Sequence, residues 1–257
     1  MMCLFVLLAL VASAAARDSF CNETGWDIVW RDEFDEPTLN TSRWTVRGAG
    51  APGCGSAECQ PSNVQLAGGM LRLTALSANS AGAVDTRDKS VWDATTGSSF
   101  RVCMFVSFPS GAGGTGAGLW PAIRMLPNDN SCLPDHGVLT IAEQVNGQEA
   151  LNASYTTTPA GNPPCSNAFV TGTGSIDELV PWYNEVSVEV SPDGSFFYIY
   201  NGDIVYGWDE KMPLHTNPWF LDLSFAIGGK AGPANATTAF PAVVNVDYVR
   251  VAVQTAK

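Results

Sequence analysis

The chain of 257 residues is 46% apolar and 15% charged, which supports a sizeable core and excludes a disordered polyelectrolyte. Thirteen Lys and Arg stand against 25 Asp and Glu, a net charge of −12. The acidic residues are dispersed, apart from Asp32-Glu33-Phe34-Asp35-Glu36. That balance excludes nucleic acid and anionic lipid as partners, because phosphate binding needs clustered Lys and Arg.

Residues 3–16 are almost entirely apolar and end in small side chains before Arg17 and Asp18. At about 14 residues the run falls short of the roughly 20 that span a bilayer, and it predicts a signal peptide over residues 1–16. Ala12-Ser13-Ala14 and Ala14-Ala15-Ala16 both fit a cleavage site, although no Lys or Arg precedes the run. No later stretch approaches a membrane span, so residues 17–257 are expected to be exported as one domain, secreted or associated with a cell wall. Cys3 leaves with the signal. Cys21, Cys54, Cys59, Cys103, Cys132 and Cys165 remain, an even set that favours disulfides and leaves the fifteen connectivities open. There is no Cys-x-x-Cys pair, and His occurs only at 136 and 215, so a zinc site is not expected. Sequons at Asn22, Asn40, Asn152 and Asn235 suit a glycoprotein.

Further along, the periodicity is that of strands. Trp26, Ile28 and Trp30 alternate with polar neighbours, as do the apolar residues of 70–74, 186–190, 221–227 and 244–251. Ser191-Pro192-Asp193-Gly194 and Asn201-Gly202-Asp203 are turn signals, so residues 185–208 read as consecutive antiparallel strands. With 25 Gly, 16 Pro and eight Trp, the chain reads as an all-β sandwich carrying aromatic surfaces that suit carbohydrate. Gly111 to Gly118 reads as a flexible surface loop. Gly229-Lys230 is followed by Ala231, which excludes a phosphate-binding P-loop. No G-x-S-x-G elbow occurs, and two His give a serine triad little support.

Four segments resemble glycoside hydrolase family 16, in its laminarinase-like (endo-β-1,3-glucanase) branch. Trp26–Asp35 resembles the opening W-x-x-V-W-x-D-E-F, and Gly118–Pro127 resembles G-L-W-P-A-F-W-M-L-P. Pro218–Gly229 resembles P-F-Y-L-I-L-N-L-A-V-G-G, and Phe240–Val251 resembles the closing F-P-x-x-x-x-V-D-Y-V-R-V strand. The resemblance covers roughly residues 25–252. It implies a concanavalin A-like β-jelly roll whose concave sheet forms an open groove for a linear β-glucan, with no required cofactor.

The family's catalytic strand, G-E-I-D-I-M-E, corresponds to Gly137-Val138-Leu139-Thr140-Ile141-Ala142-Glu143. Glu143 matches the acid/base, Val138 replaces the nucleophile and Thr140 replaces the assisting Asp. In a strand 138 and 140 share a face, and a family bulge would bring 143 to it. Retaining hydrolysis needs two carboxylates about 5–5.5 Å apart, and an inverting mechanism needs a base about 6.5–9.5 Å away. Val138 cannot attack an anomeric carbon. Asp135 is the nearest alternative in sequence, and His136 reads as a loop residue. Arg124 stands at a sugar-facing Trp position, while Cys103 and Phe105 replace the Glu and Arg of a G-R-x-E-x-R strand, read here as further altered groove positions. Trp120 can stack on a pyranose or lie in the core beneath the groove. Trp92, Trp182 and Trp208 read as packing residues. Glu33 and Asp247 match positions of a structural Ca²⁺, and hard oxygen ligands on the terminal strands would suit that ion.

Three functions follow as expectations. The first is a monomeric, non-hydrolytic protein that recognises β-1,3 or mixed-linkage β-glucan. The second is a glycosidase or transglycosidase of unorthodox arrangement, and the third is a wall protein with an unspecific groove. A carboxylate within about 6 Å of Glu143 would favour the enzyme, and aromatics around a lone Glu143 would favour the binder.

Overall fold

In the computed structural model the described residues are 19–129, 133, 137–159, 170–176, 183–208, 213–214 and 218–255. The expected signal peptide, Cys132, Cys165, Asp135, His136 and Trp182 lie outside them. Seventeen strands are named in chain order. They are β1 Trp26–Asp32, β2 Thr45–Val46, β3 Glu58–Cys59, β4 Val64–Leu66, β5 Leu71–Ala75 and β6 Ser80–Ala81. Next come β7 Ala83–Asp85, β8 Phe100–Ser107, β9 Leu119–Pro127, β10 Val138–Glu143, β11 Leu151–Thr157 and β12 Val170–Ile176. The last are β13 Asn184–Val190, β14 Phe196–Tyr200, β15 Asp203–Trp208, β16 Trp219–Ile227 and β17 Ala242–Gln254. The helical elements among the described residues are short 3₁₀ turns.

Fifteen of the strands form two antiparallel sheets, and β3 and β6 make a separate parallel pair. The back sheet runs β15-β14-β13-β8-β17-β5-β4, and the other runs β12-β11-β10-β9-β16-β7-β2. On one side of β17, residues 242–246 pair with β5 and residues 249–254 pair with β1. The turn signals at 191–194 and 201–203 sit where β13, β14 and β15 fold back on one another, as the sequence predicts. Alternation fills the space between the sheets with Leu71, Leu73, Val102 and Met104 from the back sheet and Leu139, Leu221, Leu223 and Phe225 from the other. Each such side chain stabilises the fold by roughly 1.5–3 kcal/mol. Trp92 and Trp208 pack against this core.

Two expectations are corrected here. Cys103 and Phe105 are not groove residues, because β8 belongs to the back sheet. Cys103 forms a disulfide with Cys21 and is buried beside Ala252, under Phe20, Trp26 and Ile28. Phe105 stacks between Tyr183 and Tyr248, with ring centroids 5.7 and 5.9 Å away. The glycine run at 111–118 is also not a free loop. A Cβ on Gly111 or Gly116 would come within 2.5 and 2.4 Å of the Asn146–Gly147 backbone, so these glycines allow two chain segments to touch. Gly118 N–H donates to Asn146 Oδ1 at 2.8 Å. The contact fixes the loop just past the end of β10. The second disulfide described, Cys54–Cys59, closes a short loop, and the backbone of Ser56 within it donates to the carbonyl of Ile227 at 2.7 Å.

Candidate functional site

The site lies on the face of the second sheet that points away from the core. On β10, Leu139, Ile141 and Ala142 belong to the core. Two consecutive core residues are accommodated by a bulge, since the register with both neighbouring strands shifts between Thr140 and Glu143. Val138, Thr140 and Glu143 therefore share the outer face, as the family pattern predicts. On β9 the same face carries Trp120, Ala122 and Arg124, and on β16 it carries Phe220, Asp222, Ser224 and Ala226. Directly paired residues make rows across the sheet. One row runs Ser154, Thr140, Arg124, Asp222, Asp85, and its neighbour runs Asn152, Glu143, Ala122, Ser224.

Glu143 is 5% exposed. One of its oxygens accepts from Trp120 Nε1 at 2.9 Å, and the other is closely paired with Lys230 Nζ. Trp120 is thus a half-buried residue of the outer face and not a core residue beneath it. Its ring lies against Gly229, where an added Cβ would fall 2.5 Å from the indole. Lys230 follows that glycine on a 3₁₀ turn after β16.

Beside this acid lies a set of paired charges that sequence reading did not find. Asp222 is fully buried, with Arg124 at 3.1 Å and Arg47 at 2.6 Å. Arg47 also reaches Asp85 at 2.7 Å, and Arg124 donates to Ser224 at 2.9 Å. Burial opposes the charge on Arg47, but Asp222 and then Asp85 more than offset it, so its pKa is raised. In the resembling segment the Asp222 position holds an apolar Ile, which was the available signal. These residues line a cavity of about 430 Å³ together with Val138, Trp120 and Arg87.

The geometry restricts the chemistry. Val138 offers no nucleophile and Thr140 no carboxylate. Asp222 is two strands and one row away from Glu143, roughly 12 Å between backbones at ordinary strand spacing. It is also enclosed by two guanidiniums. Both oxygens of Glu143 act as acceptors, whereas a general acid must donate a proton from one of them.

The expected Ca²⁺ pair is not assembled as a ligand set. Both Glu33 oxygens accept from Arg250, at 2.9 and 2.8 Å, and Asp247 is the extra residue where the β17–β8 register shifts. Among the described residues no group of three or more His, Cys, Asp or Glu side chains is set to hold a metal. A carboxylate closed bidentately by a guanidinium does not fit a hard cation.

The two sheets and the groove on one of them define a β-jelly roll. The chain has the laminarinase-like fold of glycoside hydrolase family 16. An endo-β-1,3-glucanase from Streptomyces sioyaensis superposes with a TM-score of 0.75 at 22% identity, over 91% of this chain and 98% of that one. A beta-glucanase of Rhodothermus marinus is 28% identical over 288 residues, 96% of this chain and 92% of its own length. Glucan endo-1,3-beta-glucosidase A1 of Niallia circulans is 26% identical over 274 residues, 88% of this chain. The chain spans only 38% of that protein. No family model matches the chain.

Proposed function

We propose that this is a secreted, monomeric β-glucan-binding protein that uses a glycosidase groove without cleaving its ligand. The observation that carries the reading is the side-chain set on the bulged strand: Val138 and Thr140 at the nucleophile and assisting positions, beside a Glu143 whose two oxygens are already occupied. Binding of β-1,3 or mixed-linkage glucan is supported by the names of the relatives, and by a groove floor that offers Trp120 next to hydrogen-bonding Asn152, Ser154 and Arg124. A ring face and adjacent polar groups are what a pyranose needs. Export is supported by residues 1–16 and by two disulfides. No described helix is long and apolar enough to cross a membrane.

Hydrolysis is the competing reading, favoured by relatives that are glucanases by name. Reducing-sugar release from laminarin and mixed-linkage β-glucan separates the two, with binding measured on the same samples. The expected result is binding without release, with release equally absent from Glu143→Gln. Release that Glu143→Gln abolishes would establish the glycosidase. Loss of both binding and release would point to a wall protein with an unspecific groove.

A further inference from the structure

Among the described residues the groove carries more positive charge than its carboxylates balance, in a protein whose net charge is −12. Four cations stand on or beside its floor: Arg47, Arg87, Arg124 and Lys230. The carboxylates among the described groove residues are Asp85, Asp222 and Glu143, and each has a partner. Arg47 serves Asp85 and Asp222, Arg124 serves Asp222, and Lys230 serves Glu143.

Arg87 is the surplus. It lines the cavity with Arg47 and Arg124, and its guanidinium lies 4.6 Å from the centre of the Phe220 ring. It has no carboxylate partner among the described residues, and its Nε is buried without a hydrogen-bond acceptor there. A guanidinium held over an aromatic ring keeps its planar fork of N–H donors oriented, and its matching acceptor is a carboxylate or a sulfate oxygen pair. A neutral hydroxyl satisfies such a fork poorly.

The two ends of the groove therefore differ. On β11 and β12 the outer face carries Asn152, Ser154, Thr156, Thr171 and Thr173, which are neutral hydrogen-bonding groups. The opposite end is a guanidinium wall. We infer that the groove selects an anionic β-glycan, with unsubstituted sugar lying over the hydroxyl end and a carboxylate or sulfate substituent held by Arg87 beside Arg124. This rests on the reading that the groove binds β-glucan and specifies which chemical class it takes.

The test compares binding of the intact purified protein to four polymers: laminarin, carboxymethyl β-1,3-glucan, sulfated β-1,3-glucan and dextran sulfate. At least one anionic glucan is expected to bind about tenfold tighter than laminarin, a typical gain for one charge-assisted contact. Whichever it is identifies the substituent as carboxylate or sulfate. Arg87→Ala and Arg87→Gln should both bring the anionic-to-neutral ratio close to one. Arg87→Gln keeps most of the aliphatic part of the side chain but not the guanidinium over Phe220, and unchanged laminarin affinity and unfolding temperature in both variants exclude a packing defect. Equal affinity for neutral and anionic glucans, or a ratio unchanged in both variants, would overturn the inference and leave the glucan-binding reading intact. Dextran sulfate binding as tightly as the anionic glucans would also overturn it, since charge alone would then suffice. Absence of binding to every β-glucan would remove the glucan-binding reading and this inference together.

Discussion

Arg124 and Asp222 are direct cross-strand partners on the groove floor, 3.1 Å apart between β9 and β16. The resembling family segments hold a Trp and an Ile at these two positions, an apolar pair where this chain has an ionic one. Asp222 has no exposed surface, and a buried charge is tolerable only while it stays paired.

Asp222→Ala should therefore be far more damaging than its small volume change suggests. It leaves Arg124 without its carboxylate and Arg47 with Asp85 alone, and the expected loss is about 3–5 kcal/mol. Arg124→Trp combined with Asp222→Ile should recover a good part of that loss. Chemical denaturation of Arg124→Trp, Asp222→Ile and the double variant gives the coupling directly.

Gly229 holds the Trp120 ring against the floor. Its φ is +57° and an added Cβ would meet the indole at 2.5 Å. Gly229→Ala is expected to cost about 1 kcal/mol or more through backbone strain. It should also displace Trp120 from Glu143 and weaken laminarin binding. Tryptophan fluorescence and a binding titration on the same sample check both parts.

The two described disulfides should contribute unequally. Cys21–Cys103 spans a sequence separation of 82 and Cys54–Cys59 one of 5. Loop-closure entropy then assigns about 4.5 kcal/mol to the first and about 2 kcal/mol to the second. Paired Cys→Ser replacement followed by thermal unfolding should show the larger drop for Cys21–Cys103.

Alkaline pH should destabilise the fold through two tyrosines. Burial raises Tyr248 above its ordinary value of 10.0, helped by its hydrogen bond to Glu185. Burial likewise raises Tyr198 well above 10.0. Between the unfolded and folded pKa values the unfolded chain has lost protons that the folded chain keeps, so stability falls as pH rises. The contribution is complete below about pH 10 and declines above it by about 1.4 kcal/mol per pH unit for each tyrosine. Tyr248→Phe should halve that slope in denaturation series from pH 9 to pH 12, with tyrosinate absorbance marking the titration.

The strands were legible because alternation is local. The period-2 runs at 26–30, 186–190, 221–227 and 244–251 fall on strands, as does 70–74 apart from Met70, and the outer-face trio of β10 could be placed from one family pattern. Alternation tells which residues share a face but not which sheet a strand joins, and so Cys103 and Phe105 were assigned to the groove while β8 lies in the back sheet. The charges around Asp222 were missed for a related reason. Arg47, Asp85, Arg124 and Asp222 come from four strands or strand ends far apart in the chain, and nothing local in the sequence announces their pairing. Lys230 was considered only as half of a nucleotide motif. Its partner, Glu143, is 87 positions away.

The register shift between Thr140 and Glu143 separates shape from chemistry. Before it, outward residues carry even numbers; after it, odd ones. That change of phase is written in the backbone and does not depend on which side chains occupy the three outward places. The strand is thus a socket with three fixed pins, and evolution can refit the pins without rebuilding the socket. Here the three pins are Val138, Thr140 and Glu143, and only the last is an acid.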